Sequence, residues 1–292
     1  MSERVERTAP ASSLAVLKRR DEVASGVHVL TLELEEVVPV PTPGQFYQVD
    51  CGGGREHLLP RPIGVLDARA KAGGLTLSMM IEVVGWGTAR LCALEAGDSI
   101  RLLGPLGRGF GPPGEGRTLI VAGGAGFAPL HYLAGTMDKE GRDYDLMAGI
   151  ASKDKYVPAM ATLKGELEIY SDDGTLGIKG MVCDAAVSRL ARNGYAKVYT
   201  CGPELMMEIV ARACEQRGVP CEVSLDSRMA CGIGACRGCV REGADGSNLC
   251  VCTDGPVFDS TEVRWNAPLV SGTTGAFSSY NMIDPPKRTS GT

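Results

Sequence analysis

Apolar and polar positions alternate through the first hundred residues. The alternation runs through Leu14–Lys18, Val27–Leu34, Phe46–Cys51, Ile63–Leu66, Leu75–Val84 and Ser99–Leu103. Pro43-Gly44, Ala72-Gly73-Gly74 and Gly97-Asp98 interrupt it with turn residues. A period of two lets a strand bury one face and wet the other. Several short strands at this spacing predict an antiparallel sandwich or barrel. A short helix is predicted over Thr88–Leu94.

The rhythm changes near residue 115. The apolar run RTLIVA at Arg117–Ala122 leads into Gly123-Gly124-Ala125-Gly126 and then a helical stretch from Phe127. Strands are predicted at Asp145–Gly149, Leu167–Tyr170, Val198–Cys201 and Glu222–Leu225, with helices at Val182–Arg192 and Glu204–Arg217. Strand–helix alternation with apolar strands predicts a parallel sheet covered on both faces. The expected fold class is therefore β followed by α/β, with a small C-terminal unit. The divisions fall at 13–112, 113–225 and 226–262, with a tail at 263–292. The tail is rich in Ser, Thr, Gly and Pro, lacks periodicity and is expected to be disordered or laid along a partner.

Composition narrows the class. A chain of 292 residues suggests two domains, or three if one is small. The net charge of −5 argues against a nucleic-acid surface. No apolar run reaches the ~18 residues of a membrane span. Residues 1–12 mix both charge signs without an apolar core, so no secretion signal is expected. Eleven cysteines in such a chain point to a reducing, cytoplasmic setting.

The strongest chemical signal is MACGIGACRGCVREGADGSNLCVCTDGPVF, which begins at Met229. Cys231, Cys236 and Cys239 stand at C-x4-C-x2-C, and Cys252 precedes Asp254-Gly255-Pro256. This is the plant-type spacing for a [2Fe-2S] cluster. Zinc would favour paired C-x2-C motifs or histidine ligands, and the loop has no histidine. Gly232, Gly234 and Gly238 allow a tight curl that turns N–H groups towards sulfur. Cys250 stands two residues before Cys252 and keeps a second choice of fourth ligand open. Cys51, Cys92, Cys183, Cys201, Cys214, Cys221 and Cys250 otherwise read as packing residues.

Other motifs suggest anion sites. Arg61-Pro62-Ile63-Gly64 puts a forked donor before a rigid proline, where it could pair with a pyrophosphate or simply face water. Gly85-Trp86-Gly87-Thr88, 24 residues further on, opens a helix as a phosphate site or as a plain cap. Gly124-Ala125-Gly126-Phe127-Ala128-Pro129 joins a strand to a helix but departs from the dinucleotide fingerprint at Pro129. Cys201-Gly202-Pro203 and Ser171-Asp172-Asp173-Gly174 follow other strand ends, where α/β sheets bind ligands. Lys153 and Lys155 could meet a 2′-phosphate, so NADH and NADPH both stay open. His28, His57 and His131 are scattered and do not read as catalytic.

In this order, RPIG, GWGT, GGAGFAPL, SDDGTLGIKG, YTCGPELM, RMACGIGACRGC and CTDGPVF resemble the ferredoxin–NADP reductase-like flavoproteins. The cluster segment is most similar to the electron-transfer subunits of class B dihydroorotate dehydrogenases. The likeness covers about residues 13–260. It implies a FAD-binding β-barrel, a nucleotide domain, a [2Fe-2S] domain and a cytoplasmic role in pyrimidine biosynthesis. It also implies a partner, an FMN-containing TIM-barrel subunit that oxidises dihydroorotate, assembled as a heterotetramer. Carried over by position, Arg61, Pro62, Ile63 and Gly64 would contact FAD, Met80, Ile81 and Glu82 would line it, and Gly87 and Thr88 would hold its phosphates. Gly124, Gly126, Cys201 and Gly202 would meet NAD(H), and Cys231, Cys236, Cys239 and Cys252 would hold the cluster. No side chain is expected to act as general acid or base. Gly64 replaces the family's usual Ser, and Glu82 stands where a basic residue is common. With the long tail, Gly64 leaves open service to another enzyme, of hydrogenase or ferredoxin/sulfide oxidoreductase type. A zinc-stapled assembly module without redox activity is the alternative from a different class.

Overall fold

Six strands come first: β1 (Ala11–Ala24), β2 (Val27–Leu34), β3 (Phe46–Val49), β4 (Arg61–Lys71), β5 (Gly74–Glu82) and β6 (Ser99–Leu106). In the computed structural model, which describes residues 10–52, 59–192 and 194–265, they close into an antiparallel barrel in the order β1-β2-β5-β4-β3-β6. Alternation places Leu17, Leu32, Leu77, Met79 and Leu102 inside, all fully buried. Closure removes both sheet edges, which settles the choice between sandwich and barrel. The short helix α1 (Trp86–Cys92) follows β5, starting two residues earlier than its sequence suggests.

The second layer begins with β7 (Thr118–Gly123), α2 (Phe127–Glu140), β8 (Tyr144–Ile150), β9 (Glu166–Ser171) and β10 (Ile178–Lys179). It continues through α3 (Val182–Arg192), β11 (Lys197–Cys201), α4 (Glu204–Glu215) and β12 (Cys221–Ser224). These strands are parallel, in the order β10-β9-β8-β7-β11-β12. The chain moves outward from β7 to one side and returns to fill the other. The carboxyl ends of β7 and β11 therefore flank the switch point, where open α/β sheets bind ligands.

The C-terminal segment does not simply hang from β12. It forms a hairpin of β13 (Val240–Glu242) and β14 (Asn248–Cys250), then returns as β15 (Val257–Asp259). β15 pairs antiparallel with β12 at the sheet edge, Val223 opposite Phe258. The loop between β12 and β15 is thus anchored at both ends. The linker after β6 grips the same turn, because the Arg108 N–H donates to the Gly255 carbonyl at 2.6 Å. Residues 266–292, most of the expected tail, lie outside the described residues, as does His57. Among the described residues, no helix is long and apolar enough to cross a membrane.

Barrel and sheet meet through α2 and the strand ends. Tyr132 donates its hydroxyl to the Pro41 carbonyl at 2.8 Å. Lys155 pairs with Glu82 at 2.7 Å and donates to the Ser25 carbonyl at 3.1 Å. At the opposite end of the sheet, Asp145 is 1% exposed and accepts from Arg117 and Tyr195, with Arg189 Nη1 3.6 Å away. Removing one member of a buried ion network strands its partners and costs about 3–5 kcal/mol. Asp145→Ala should therefore lower the thermal midpoint by several degrees, measured by calorimetry, while the folded fraction keeps the visible spectrum of the parent.

Candidate functional site

The first site face lies on the barrel. Antiparallel register sets Phe46 opposite Gly64, Tyr47 opposite Ile63 and Gln48 opposite Pro62. Tyr47 and Ile63 join the barrel core, so Phe46, Gln48, Pro62 and Gly64 share the outer face. A Cβ on Gly64 would meet nothing closer than Pro129 Cδ, at 3.8 Å. The face is therefore low and open beside α2, and a flat ring could lie on it.

The Arg61 side chain reaches the start of α1. A Cβ on Gly87 would fall 2.5 Å from Arg61 Nε and 2.7 Å from Nη2. Two motifs 24 residues apart in sequence thus form one cationic corner. Thr88 has a different part in it. Its hydroxyl accepts from the N–H groups of Val84 and Gly85 and donates to the Gly85 carbonyl at 3.0 Å. That hydroxyl closes the turn, and the first N–H groups of α1 stand beside Arg61. Met80 packs against the α2 core, and Ile81 is 2% exposed within the barrel, where only its backbone can face a ligand. Glu82 pairs with Lys155 at 2.7 Å.

The second face lies at the switch point. Gly124 has φ +52°, and a Cβ there would have open space around it. A Cβ on Gly126 would come within 2.6 Å of the Gly202 nitrogen. The turn after β7 therefore packs backbone to backbone against Cys201-Gly202, and only glycine fits. Burial pushes the Cys201 thiol up to about 12, with the Ser224 side chain opposing. Cys201 is therefore a neutral thiol at ordinary pH. Beyond β9, Asp173 accepts from the Thr175 N–H at 2.9 Å, and Thr175 Oγ1 accepts from the Lys153 N–H at 2.9 Å. The Asp173 carboxyl is held below its usual range by the Thr175 backbone N–H and hydroxyl.

The cysteine loop curls as its glycines suggest. Ile233 and Cys236 each donate an N–H to Cys231 Sγ at 3.4 Å. Gly238 donates to Cys236 Sγ at 3.4 Å, Gly234 to Cys252 Sγ at 3.2 Å, and Cys252 to Cys239 Sγ at 3.4 Å. Each of the four sulfurs thus accepts a backbone N–H. Burial opposes ionisation of Cys231, yet the N–H groups of Cys236 and Ile233 outweigh it and bring its pKa down to about 7. Such donors stabilise thiolates and sulfides. Thiols with N–H donors and no histidine suit an iron–sulfur cluster, and among the described residues the sulfurs that converge within 4.8 Å are those of Cys239, Cys250 and Cys252.

Cys250 is closer than its sequence role suggests. Its sulfur lies 3.6 Å from Cys239 Sγ and 3.8 Å from Cys252 Sγ. Sulfurs sharing one tetrahedral metal at ~2.3 Å stand about 3.8 Å apart, so distance alone does not exclude Cys250. The Gly234 N–H is directed at Cys252, whereas the sulfurs of Cys239, Cys250 and Cys252 all converge within 4.8 Å. Sequence reasoning also missed Gln48, a polar residue in a short strand whose burial no local pattern reveals.

Residues 226–264 match the family described as the iron–sulfur cluster binding domain of dihydroorotate dehydrogenase B. The chain is 37% identical over 246 residues to the dihydroorotate dehydrogenase B (NAD(+)) electron transfer subunit of Clostridium acetobutylicum, covering 84% of this chain and 94% of that protein. The subunit of the same name from Desulforamulus reducens is 34% identical over 250 residues, covering 83% and 94%. Among solved structures, one of an NADH-dependent reduced ferredoxin-NADP oxidoreductase, studied for flavin-based electron bifurcation, is similar at a TM-score of 0.75 and 29% identity. It covers 89% of this chain and 92% of its own. The ferredoxin reductase in carbazole 1,9a-dioxygenase shares the fold at a TM-score of 0.64 and 19% identity, covering 74% of this chain and 68% of its own. With relatives this similar spanning nearly their whole length, the chain belongs to the family of dihydroorotate dehydrogenase B electron transfer subunits.

Proposed function

We propose that this chain passes electrons between NAD(H) and a catalytic partner subunit that oxidises dihydroorotate, in cytoplasmic pyrimidine biosynthesis. The partner would be an FMN-containing TIM-barrel subunit, assembled with this chain as a heterotetramer. Residues 13–112 would hold FAD, 113–225 NAD(H), and 226–262 the [2Fe-2S] cluster. The observation that carries the reading is the four-thiol loop with its directed N–H groups, seated against the outer barrel face.

FAD, when bound, supplies the exchange between two-electron and one-electron chemistry. The protein supplies position and charge. Arg61 would pair with the FAD pyrophosphate beside Gly87, while Thr88 keeps the turn closed. Pro62, Ile63 and Gly64 would present a flat strand edge to the ring, with Met80, Ile81 and Glu82 next to it. The tight packing of Gly126 on Cys201-Gly202 would keep the nucleotide turn low enough for a nicotinamide to reach the barrel face. The neutral Cys201 thiol would give the ring a small, uncharged neighbour. Cys231, Cys236, Cys239 and Cys252 would ligate the cluster, with Cys250 as packing beside it.

The deciding experiment is co-expression with the catalytic subunit, followed by an assay of NAD+ reduction by dihydroorotate. Turnover that requires both chains is expected; a flavin- and iron-containing protein with no such turnover would point to another partner. Cys231→Ser and Cys236→Ser should each abolish or alter the reduced paramagnetic signal, whereas Cys250→Ser should leave its g-values unchanged. A cluster lost on changing Cys250 but retained on changing Cys252 would reverse that assignment. Arg61→Ala removes a charge-assisted bond of about 1.5–3 kcal/mol. FAD affinity should fall about 10- to 100-fold, read by flavin fluorescence on dilution. Gly126→Ala should raise KM for NAD+ while FAD content stays at the parent level.

A further inference from the structure

Gln48 lies in β3 and is 2% exposed, yet neither its amide nitrogen nor its amide oxygen has a partner among the described residues. An unmade bond on a buried amide costs about 1–3 kcal/mol. Buried side-chain amides are nearly always satisfied. The orphan therefore points to a partner outside the described residues.

Its surroundings define that partner. Neighbouring Tyr47 and Val49 belong to the barrel core, whereas Gln48 faces the cysteine loop. A Cβ on Gly232 would fall 2.6 Å from Gln48 Cγ and 3.0 Å from Nε2. Gly232 is the residue after Cys231, and its φ of +72° lets the loop pass this close. Leu106 closes the same contact, with its Cδ1 also 3.0 Å from that Cβ. Phe46, next on this face, lies beside Gly107, which packs on Pro256 in the turn beyond Cys252. Both halves of the cysteine segment therefore cover this face of β3. On the other side Gln48 is in register with Pro62. Gln48 stands where the cysteine loop, β6 and the Arg61–Gly64 edge converge.

A carboxamide carries two N–H donors and one acceptor. Thiolate and sulfide sulfurs accept but do not donate. We propose that Gln48 is the hydrogen-bond donor extended by the barrel to the iron–sulfur cluster, a positioning residue that sets the cluster's potential. The inference rests on the reading of Cys231, Cys236, Cys239 and Cys252 as its ligands. Reduction adds one electron and no atom, and the added charge spreads onto the sulfurs. An N–H directed at those sulfurs favours the reduced form and raises the potential. The backbone N–H groups of the loop act from the cysteine side, and Gln48 acts from the flavin side, so the barrel itself tunes the acceptor next to its own cofactor.

The test uses the full chain carrying FAD and iron, with Gln48→Met and Gln48→Leu as variants that delete the amide in two different shapes. Redox titration followed by paramagnetic resonance reads the cluster, and the visible spectrum reads the flavin. Both variants should retain parental FAD and shift the cluster midpoint to more negative potential, with the flavin midpoint unmoved. An unchanged cluster midpoint in both variants, or a shift confined to the flavin, overturns the inference. If Gln48→Met releases the iron, retention by Gln48→Asn supports the donor, and loss from both overturns it. Absence of iron from the parent protein would instead sink the cluster reading itself.

Discussion

The arrangement depends on one constraint: a set of sulfurs that repel one another as thiolates must be held face to face. A loop tethered at one end could relax away from that geometry. Here β12 anchors the start and β15 the finish, on the same rigid sheet edge. The Arg108 N–H ties the turn at Gly255 back to the barrel linker. Between these anchors, N–H groups directed at sulfur replace the water that would otherwise solvate the charge. The cysteine loop is therefore an insertion between two neighbouring strands at one edge of the sheet, pressed against a neighbouring barrel.

That pressure aligns the rest of the site. The outer face of β3 is covered by the cysteine segment, and β4, in register with β3, carries Pro62 and Gly64 on the same side. A flavin on β4 and a cluster in the loop would thus be neighbours through a single pair of strands. The nucleotide turns after β7 and β11 open towards the same region, because α2 packs its first turn next to Gly64. Hydride and single-electron chemistry need such adjacency, and most of it comes from backbone register rather than from any reactive side chain.

Gly64 and Glu82 fit this picture as local adjustments. Gly64 leaves open space at the barrel edge where a hydroxyl would otherwise stand. Glu82 is used to join barrel and sheet, through Lys155. Neither change disturbs the strands that carry it, since both sit at solvent-facing or interface positions.

Period and spacing are local properties, and the sequence alone was enough for what depends on them. The six barrel strands, five of the six parallel strands after residue 115, the glycine turns and the C-x4-C-x2-C loop were legible as patterns; the two-residue β10 was not. Contacts between distant segments were not. Alternation in β3 cannot say that Gln48 is buried, because its cover comes from Gly232, far along the chain. The short run Val257–Asp259 has too few residues to declare itself a strand, and it becomes one only because β12 offers an unpaired edge. Thr88 was legible as a phosphate ligand or a cap, and only the folded turn shows its hydroxyl bonded to the backbone of Val84 and Gly85. Cys250 was legible as packing or as a second choice of fourth ligand, and the hairpin of β13 and β14 carries its sulfur to those of Cys239 and Cys252. In each case a long-range pairing, which no local window contains, chose among options that the residues themselves allowed.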